Sequence, residues 1–447
     1  MKKFVRVFLL ALVTCHMLPV TCHAVAEIRD TEIESVLYEL VEPLARAAGI
    51  PDGRLRIHIL NEDDFNAFVS RGEDIYIYTG LIARVSSPGA FQAVVAHELG
   101  HMAGGHMAQM SARMDAELKR SLIVQALGIA LMAANPMAGA GVLAGAGGIA
   151  TQSMLAFSRD EERVADDMGI ELMVRACLDP DGFIEVMKQM NEMTGVIESR
   201  INPNNINHPM TEERLKNLKE KIKELEKRKP KNCPAANEKQ MKERYATIRA
   251  KVVGYLAPMD RVGNLYPAKD TSAPAIYARS IASMRAGGLA DAKTGALTLI
   301  ARDGKNPYYY ELLGDIEYQS GHYDDSATAY EKALELAAAG DDATSANMSQ
   351  IQTAYALVLV ERKKPGDADR AVEMAKRALL RDAAPMAYMV LARAEGLRGN
   401  AGISDWAMAE YYAGIKQTKK SREFAKRAQK QLPKNSPEYI KSGDLLK

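Results

Sequence analysis

The chain has 447 residues, with 58 lysines and arginines against 57 acidic residues. That length allows two or three domains, and the near-neutral balance excludes a protein whose main partner is nucleic acid, although local basic patches remain open. At 47% hydrophobic residues the composition is that of a globular chain.

The N-terminus predicts a cleaved export signal. Lys2, Lys3 and Arg6 precede the apolar run Phe8–Val13, and Ala24-Val25-Ala26 offers a small-x-small cleavage site, so the signal is expected to end at Ala26. The run is too short to span a bilayer, which needs about 20 residues. Cys15 and Cys22 leave with the signal, whereas Cys177 and Cys233 remain. In an oxidising compartment a disulfide between them and two independent thiols stand as equal readings.

Residues 31–50 are expected to form a helix, with Ile33, Val36, Leu37, Leu40, Val41 and Leu44 on one face. Leu55–Leu60 and Ile75–Tyr78 alternate as strands, with Asn66-Ala67-Phe68 and a turn at Arg71-Gly72 between them. The expectation is a small antiparallel sheet beside a helical body. Ser87 and Pro88 then open a helix that runs to Gly104-Gly105. The Ala- and Gly-rich stretch 121–150 reads as buried close-packed helices in preference to a membrane-dipping hairpin or a movable flap. Residues 211–229 read as a charged helix with the stripe Leu215, Leu218, Ile222 and Leu225, ended by Pro230.

From about 275 the chain becomes repetitive, with helix-turn-helix units of roughly 34 residues. The clearest unit starts at Pro307 and holds Leu313-Gly314, Gly321, Tyr323, Tyr330 and Ala333. Others are marked by Gly287 and Ala292, by Gly366 and Ala371, and by Leu391-Ala392 and Gly399. Such units bury their faces only by stacking, which predicts a solenoid with a concave binding surface.

The chemistry lies in His97-Glu98-Leu99-Gly100-His101. Histidines four apart on a helix share a face and can reach one ion, and the intervening Glu98 can serve as general base on a water activated by zinc. A third ligand is expected at Glu162, one turn before Asp166, which would accept the outer N–H of a ligand histidine. His106, five residues past His101, is expected to be a surface or capping histidine, and His58 an ordinary strand residue.

Asn66-Ala67-Phe68, the strand ending Tyr78-Thr79-Gly80, the His-Glu-x-x-His helix, and Ser158-Arg159…Glu162…Ala165-Asp166 before Gly169 resemble the gluzincin peptidases of the HtpX, Oma and CAAX-prenyl-endopeptidase type. Asn207-His208-Pro209 followed by Arg214 resembles that family's downstream His-Pro…Arg segment. With an export signal and tetratricopeptide-type repeats, the chain is similar to the family's periplasmic branch. The resemblance implies one zinc per chain on His97, His101 and Glu162, catalysis by Glu98, and orientation by Asp166. His208 is a candidate plug of the metal's open position, a candidate oxyanion donor, or a plain turn residue.

The expected fold class is therefore mainly α with a small antiparallel sheet, arranged as a signal peptide (1–26), a gluzincin peptidase domain (27–230), a helical connector (231–274) and a tetratricopeptide-repeat α-solenoid (275–447). The implied function is a periplasmic zinc endopeptidase acting on misfolded or stalled outer-membrane proteins. Its repeats would dock clients or assembly machinery, with no nucleic-acid partner and room for peripheral membrane contact. The competing reading is a repeat-based chaperone or scaffold with a largely silent zinc site.

Overall fold

The computed structural model describes residues 26–70, 73–106, 159–197, 212–228, 230, 233, 238–339 and 348–447. The signal, the apolar stretch 121–150 and His208 lie outside the described residues.

The N-terminal body begins with β1 (Glu27–Ile28), α1 (Thr31–Ala47), β2 (Arg56–Leu60), β3 (Ala67–Val69) and β4 (Asp74–Tyr78). Asp30 caps α1 by accepting a hydrogen bond from the Ile33 amide at 2.9 Å. All six residues of the expected α1 stripe are buried. At about 2 kcal/mol per aliphatic side chain, that face contributes on the order of 10 kcal/mol before the entropy of ordering is charged against it.

The strands order as β1-β2-β4-β3. β1 is antiparallel to β2 and β3 is antiparallel to β4, but β2 and β4 run parallel, with Ile57 opposite Ile75 and Ile59 opposite Ile77. The sheet is therefore mixed, not antiparallel throughout. A parallel pair needs a crossover. β3 lies within that crossover and folds back on the far edge of β4.

Next come α2 (Thr79–Arg84), α3 (Pro88–Ala103), α4 (Arg159–Arg175), α5 (Gly182–Ile197) and α6 (Glu212–Leu225). The Ser87 hydroxyl caps α3, accepting from the Ala90 amide at 3.1 Å with Pro88 in the first turn. Leu218, Ile222 and Leu225 of α6 are buried, so this charged helix lays one stripe on the body.

α7 (Glu238–Leu256) faces two ways. Tyr245 is fully buried beside Phe91 of α3, with ring centroids 5.7 Å apart. Ala250 and Val253 join a second core with Ala275, Ala278 and Ala282. A further helix, α8 (Met259–Leu265), occupies the stretch read as connector. A disulfide joins Cys177, just past α4, to Cys233, ahead of α7.

The remaining helices stack as hairpins: α9 (Ala273–Arg285) with α10 (Leu289–Arg302), α11 (Pro307–Gln319) with α12 (Tyr323–Ala339), α13 (Ser349–Arg362) with α14 (Asp367–Leu379), α15 (Pro385–Leu397) with α16 (Ala401–Gly414), and α17 (Thr418–Gln431) with α18 (Pro437–Asp444). Gly314 permits the close approach of α11 and α12, since a Cβ there would meet the Tyr330 ring at 2.8 Å. Turn glycines with positive φ lie at 287, 321, 366 and 399, so the spacing is 34, 45 and 33 residues. The long interval contains residues 340–347, which lie outside the described set.

The first residues of the chain's body dock into the repeats. Lys251 of α7, 3% exposed, lies 2.8 Å from Asp30, 3.1 Å from Glu32 and 3.5 Å from Glu311 of α11. The Tyr277 hydroxyl donates to Glu32 at 2.8 Å, Arg29 pairs with Asp382 at 3.1 Å, and the Thr31 hydroxyl donates to Gln350. Burial would by itself lower the Lys251 pKa, but the surrounding carboxylates raise it well above the ordinary lysine value. The same burial pushes the Glu32 carboxyl up and raises Glu311 to about 8, despite the ammonium beside them.

Candidate metal centre

α3 and α4 cross where side chains are absent. A Cβ on Gly100 would meet the Ala165 carbonyl oxygen at 2.3 Å, and one on Gly169 would meet Ala96 backbone atoms at 3.0 Å. This contact sets Glu162 and Asp166, one turn apart on α4, against His97 and His101, one turn apart on α3.

His97, His101 and Glu162 each turn a ligand atom into a group lying within 4.8 Å, and all three residues are buried. The two Nε2 atoms are 3.0 Å apart. Glu162 oxygens lie 3.6 Å from His97 Nε2 and 3.4 Å from His101 Nε2.

His97 Nδ1 is 2.9 Å from Asp166 Oδ1. A carboxylate only accepts, so Nδ1 carries the proton and Nε2 keeps its lone pair for the shared point. Two imidazole lone pairs and a carboxylate at such range repel unless a cation joins them, and two nitrogens with one oxygen suit a divalent transition ion. The residues therefore fit a bound metal.

Arg214 of α6 closes the back of the site. It donates through Nε and Nη2 to Asp166 at 2.7 and 2.8 Å and pairs with Glu162 at 2.7 Å. Burial would raise the Asp166 carboxyl, but hydrogen bonds from His97 and Arg214 outweigh it and hold the pKa below the usual value. The sequence offered Arg214 only as part of a family-like segment; its fork on Asp166 depends on α6 packing over α4.

His106 corrects an expectation. It is 4% exposed, not a surface residue, and its Nδ1 lies 2.9 Å from His101 Nδ1. The helical angle used to place it does not apply, because α3 stops at Ala103 and Gly105 turns the backbone to φ +68°. His106 thereby occupies for His101 the place that Asp166 occupies for His97. His58 pairs with Glu27 at 2.9 Å and Asp74 at 3.0 Å and stacks on Tyr76, a structural role on the sheet.

Glu98 is buried and lines, with His97 and Arg214, a narrow apolar groove walled by Phe65, Ala67, Phe183, Met187 and Met190. β3, an edge strand of the sheet, borders that groove. Among the described residues no helix is long and apolar enough to cross a membrane.

Residues 29–222 match the sequence profile of peptidase family M48. A body whose residues 29–222 match that family, with a buried His-His-Glu centre, is thus followed by stacked helical hairpins. Among curated proteins, the chain is similar to the beta-barrel assembly-enhancing protease of Escherichia coli, at 24% identity over 62% of this chain and 56% of that protein. It also resembles the mitochondrial metalloendopeptidase OMA1 of Schizosaccharomyces pombe, at 25% identity over 43% of this chain and 55% of the relative. A third relative is the metalloprotease YcaL of Escherichia coli, at 27% identity over 36% of this chain and 59% of that protein. The chain spans little more than half the length of these relatives. A thermophilic tetratricopeptide protein of Thermus thermophilus aligns with 45% of the chain and 93% of itself, at 17% identity and a TM-score of 0.26.

Proposed function

We propose that the chain is a zinc-dependent endopeptidase of the periplasm that hydrolyses peptide bonds in misfolded or stalled outer-membrane proteins, with the repeats docking clients or assembly machinery. The observation that carries the catalytic part is the convergence of His97, His101 and Glu162 beside Glu98 at an apolar groove. The envelope setting is supported by the likeness to the beta-barrel assembly-enhancing protease and by the export-type N-terminus.

His97, His101 and Glu162 would hold one zinc ion per chain, which would supply Lewis acidity toward a water and the scissile carbonyl. Glu98 accepts the attacking water's proton and returns one to the leaving amine. Asp166 and His106 hold the two imidazoles in orientation, and Arg214 fixes Asp166 and Glu162 in turn. An extended substrate can pair with the edge of β3 and set an apolar side chain into the groove. His208 remains a candidate plug or oxyanion donor. We assign residues 27–230 to the peptidase domain, 231–274 to the connector and 275–447 to the repeats.

Glu98→Gln separates enzyme from scaffold. The variant should retain one zinc per chain and cleave an unfolded envelope protein about 10²–10⁴-fold more slowly. Wild-type cleavage by this variant, or its full rescue of a deletion strain, would overturn the enzymatic reading.

A further inference from the structure

The chain is almost neutral as a whole, yet its last two helices are not. Residues 416–447 hold ten lysines and arginines against three acidic residues, a net of +7 where the entire chain carries +1, which leaves the remainder at −6. The charge is concentrated on one side of α17. Ser421, Ala425 and Ala428 are buried against the preceding hairpin. Lys419, Lys426 and Lys430 lie on the opposite side, within about 40° of one another at ~100° per residue, and all three are exposed. Among the described residues none of the three has an ion-pair partner. Lys416 and Lys434, also exposed, extend the row into the turns at either end of the helix.

An exposed helix face needs polar side chains for solubility alone. Mixed charges meet that need, and the other exposed helices show them: α6 alternates Lys216 with Glu220, and Lys221 with Glu224. On the outer side of α17 only Glu423 interrupts the positive row. At Lys416 the chain even places a lysine at φ +59°, in a helix stop of the kind that Gly287, Gly321 and Gly399 fill elsewhere in the repeats.

We propose that this face of α17 is a docking surface for an anionic phospholipid bilayer. The chemistry favours lipid over an acidic protein. The row consists of exposed lysines on one side of a helix, with no buried aromatic or arginine anchor among them of the kind that concentrates protein–protein binding energy. Lysines on flexible stems match a fluid array of phosphates, whereas a fixed carboxylate partner favours the arginine fork. Ile415 beside Lys416 and Ile440 on α18 are 37% and 58% exposed, apolar side chains available for shallow contact with the headgroup region. The surface is remote in sequence from the metal centre and does not depend on the catalytic reading.

Flotation of the full mature chain with vesicles tests the assignment. Wild type should float with phosphatidylcholine vesicles containing about one third phosphatidylglycerol, remain behind with pure phosphatidylcholine, and be released by high salt. At about five-fold in partitioning per lysine, Lys419→Gln/Lys426→Gln/Lys430→Gln should lower binding about 100-fold. The same three sites changed to Arg should restore it. A control carrying Lys239→Gln/Lys242→Gln/Lys305→Gln removes equal charge elsewhere and should bind as wild type. The proposal fails if the α17 variant floats like wild type, if the control falls equally, or if neutral vesicles suffice. It also fails if wild type ignores anionic vesicles, including the case in which it is retained instead by an immobilised acidic polypeptide.

Discussion

Two buried clusters of charge in the molecule are completed in opposite ways. Around Lys251, the carboxylates of Asp30, Glu32 and Glu311 enclose a cation that belongs to the chain itself. Around His97 and His101, Arg214 takes up Asp166 and one oxygen of Glu162, and the ligand atoms of His97, His101 and Glu162 lie within 4.8 Å of one another with no lysine ammonium among the described residues paired to them. Buried acid is costly in both places. Where the chain supplies its own ammonium the result is a joint between two bodies; where it withholds one, the result is a place for a metal ion. The same hydrogen-bonding chemistry therefore yields structure in one case and a site for reaction in the other.

Removing the internal cation should break this contrast most visibly. Lys251→Met keeps the stem but leaves Asp30, Glu32 and Glu311 without their partner, and the expected loss is about 3–5 kcal/mol in chemical denaturation. A loss below about 1 kcal/mol would mean that the joint rests on apolar contacts alone.

The disulfide ties the clusters together, since Cys177 follows the helix bearing Glu162 and Cys233 precedes the helix bearing Lys251. Cys177→Ser/Cys233→Ser should cost about 2–4 kcal/mol of stability through the freed unfolded chain. Metal affinity, measured by chelator competition on the folded variant, should stay unchanged if the two clusters act separately.

His106→Ala sharpens the account of the metal side. With its outer partner gone, the His101 ring loses its fixed orientation, and metal affinity should fall about 10–100-fold. An equal fall for Glu161→Ala would show that general packing, not the imidazole pair, is responsible.

A further test concerns pH. Glu311 holds its proton to about 8 in the folded joint, against an ordinary value of 4.5, because burial outweighs the attraction of Lys251. Asp30, Glu32 and Asp315 face the same carboxyl and add to the rise. Between those two pH values the unfolded chain binds fewer protons than the folded one, so this residue's contribution to stability declines as pH rises from about 4.5 to about 8. Comparing unfolding midpoints of wild type and Glu311→Gln at the two ends of this range checks the sign: the decline should be shallower in the variant.

What could be read in advance follows from the range of the interactions involved. The helix around His97 was legible because its cap, proline and histidine spacing all lie within a few turns of one another. The pairing of Glu162 with Asp166 was legible for the same reason. The α1 stripe and the hairpin glycines are likewise local patterns. The parallel β2–β4 pair was not legible, since alternation along a strand reports burial and says nothing of a neighbour's direction. His106 was misplaced because one glycine with positive φ redirects everything after it. Lys251 gave no signal at all: its partners lie more than 200 residues upstream and 60 downstream, and only the closed fold makes it a buried cation.

The docking of Thr31 against Gln350 and of Arg29 against Asp382 also bears on how the molecule is made. A chain synthesised from its N-terminus presents α1 early, but the residues that receive the start of that helix arrive some 320 to 350 positions later. Contacts of such separation form slowly, because a long loop must close before they return any free energy. Until the third hairpin and Asp382 behind it have been produced, Thr31 and Arg29 lack these partners and stay hydrated. The start of α1 is thus among the first parts of the body to be made and among the last to be secured, and full closure of the joint reports that the repeats are in place.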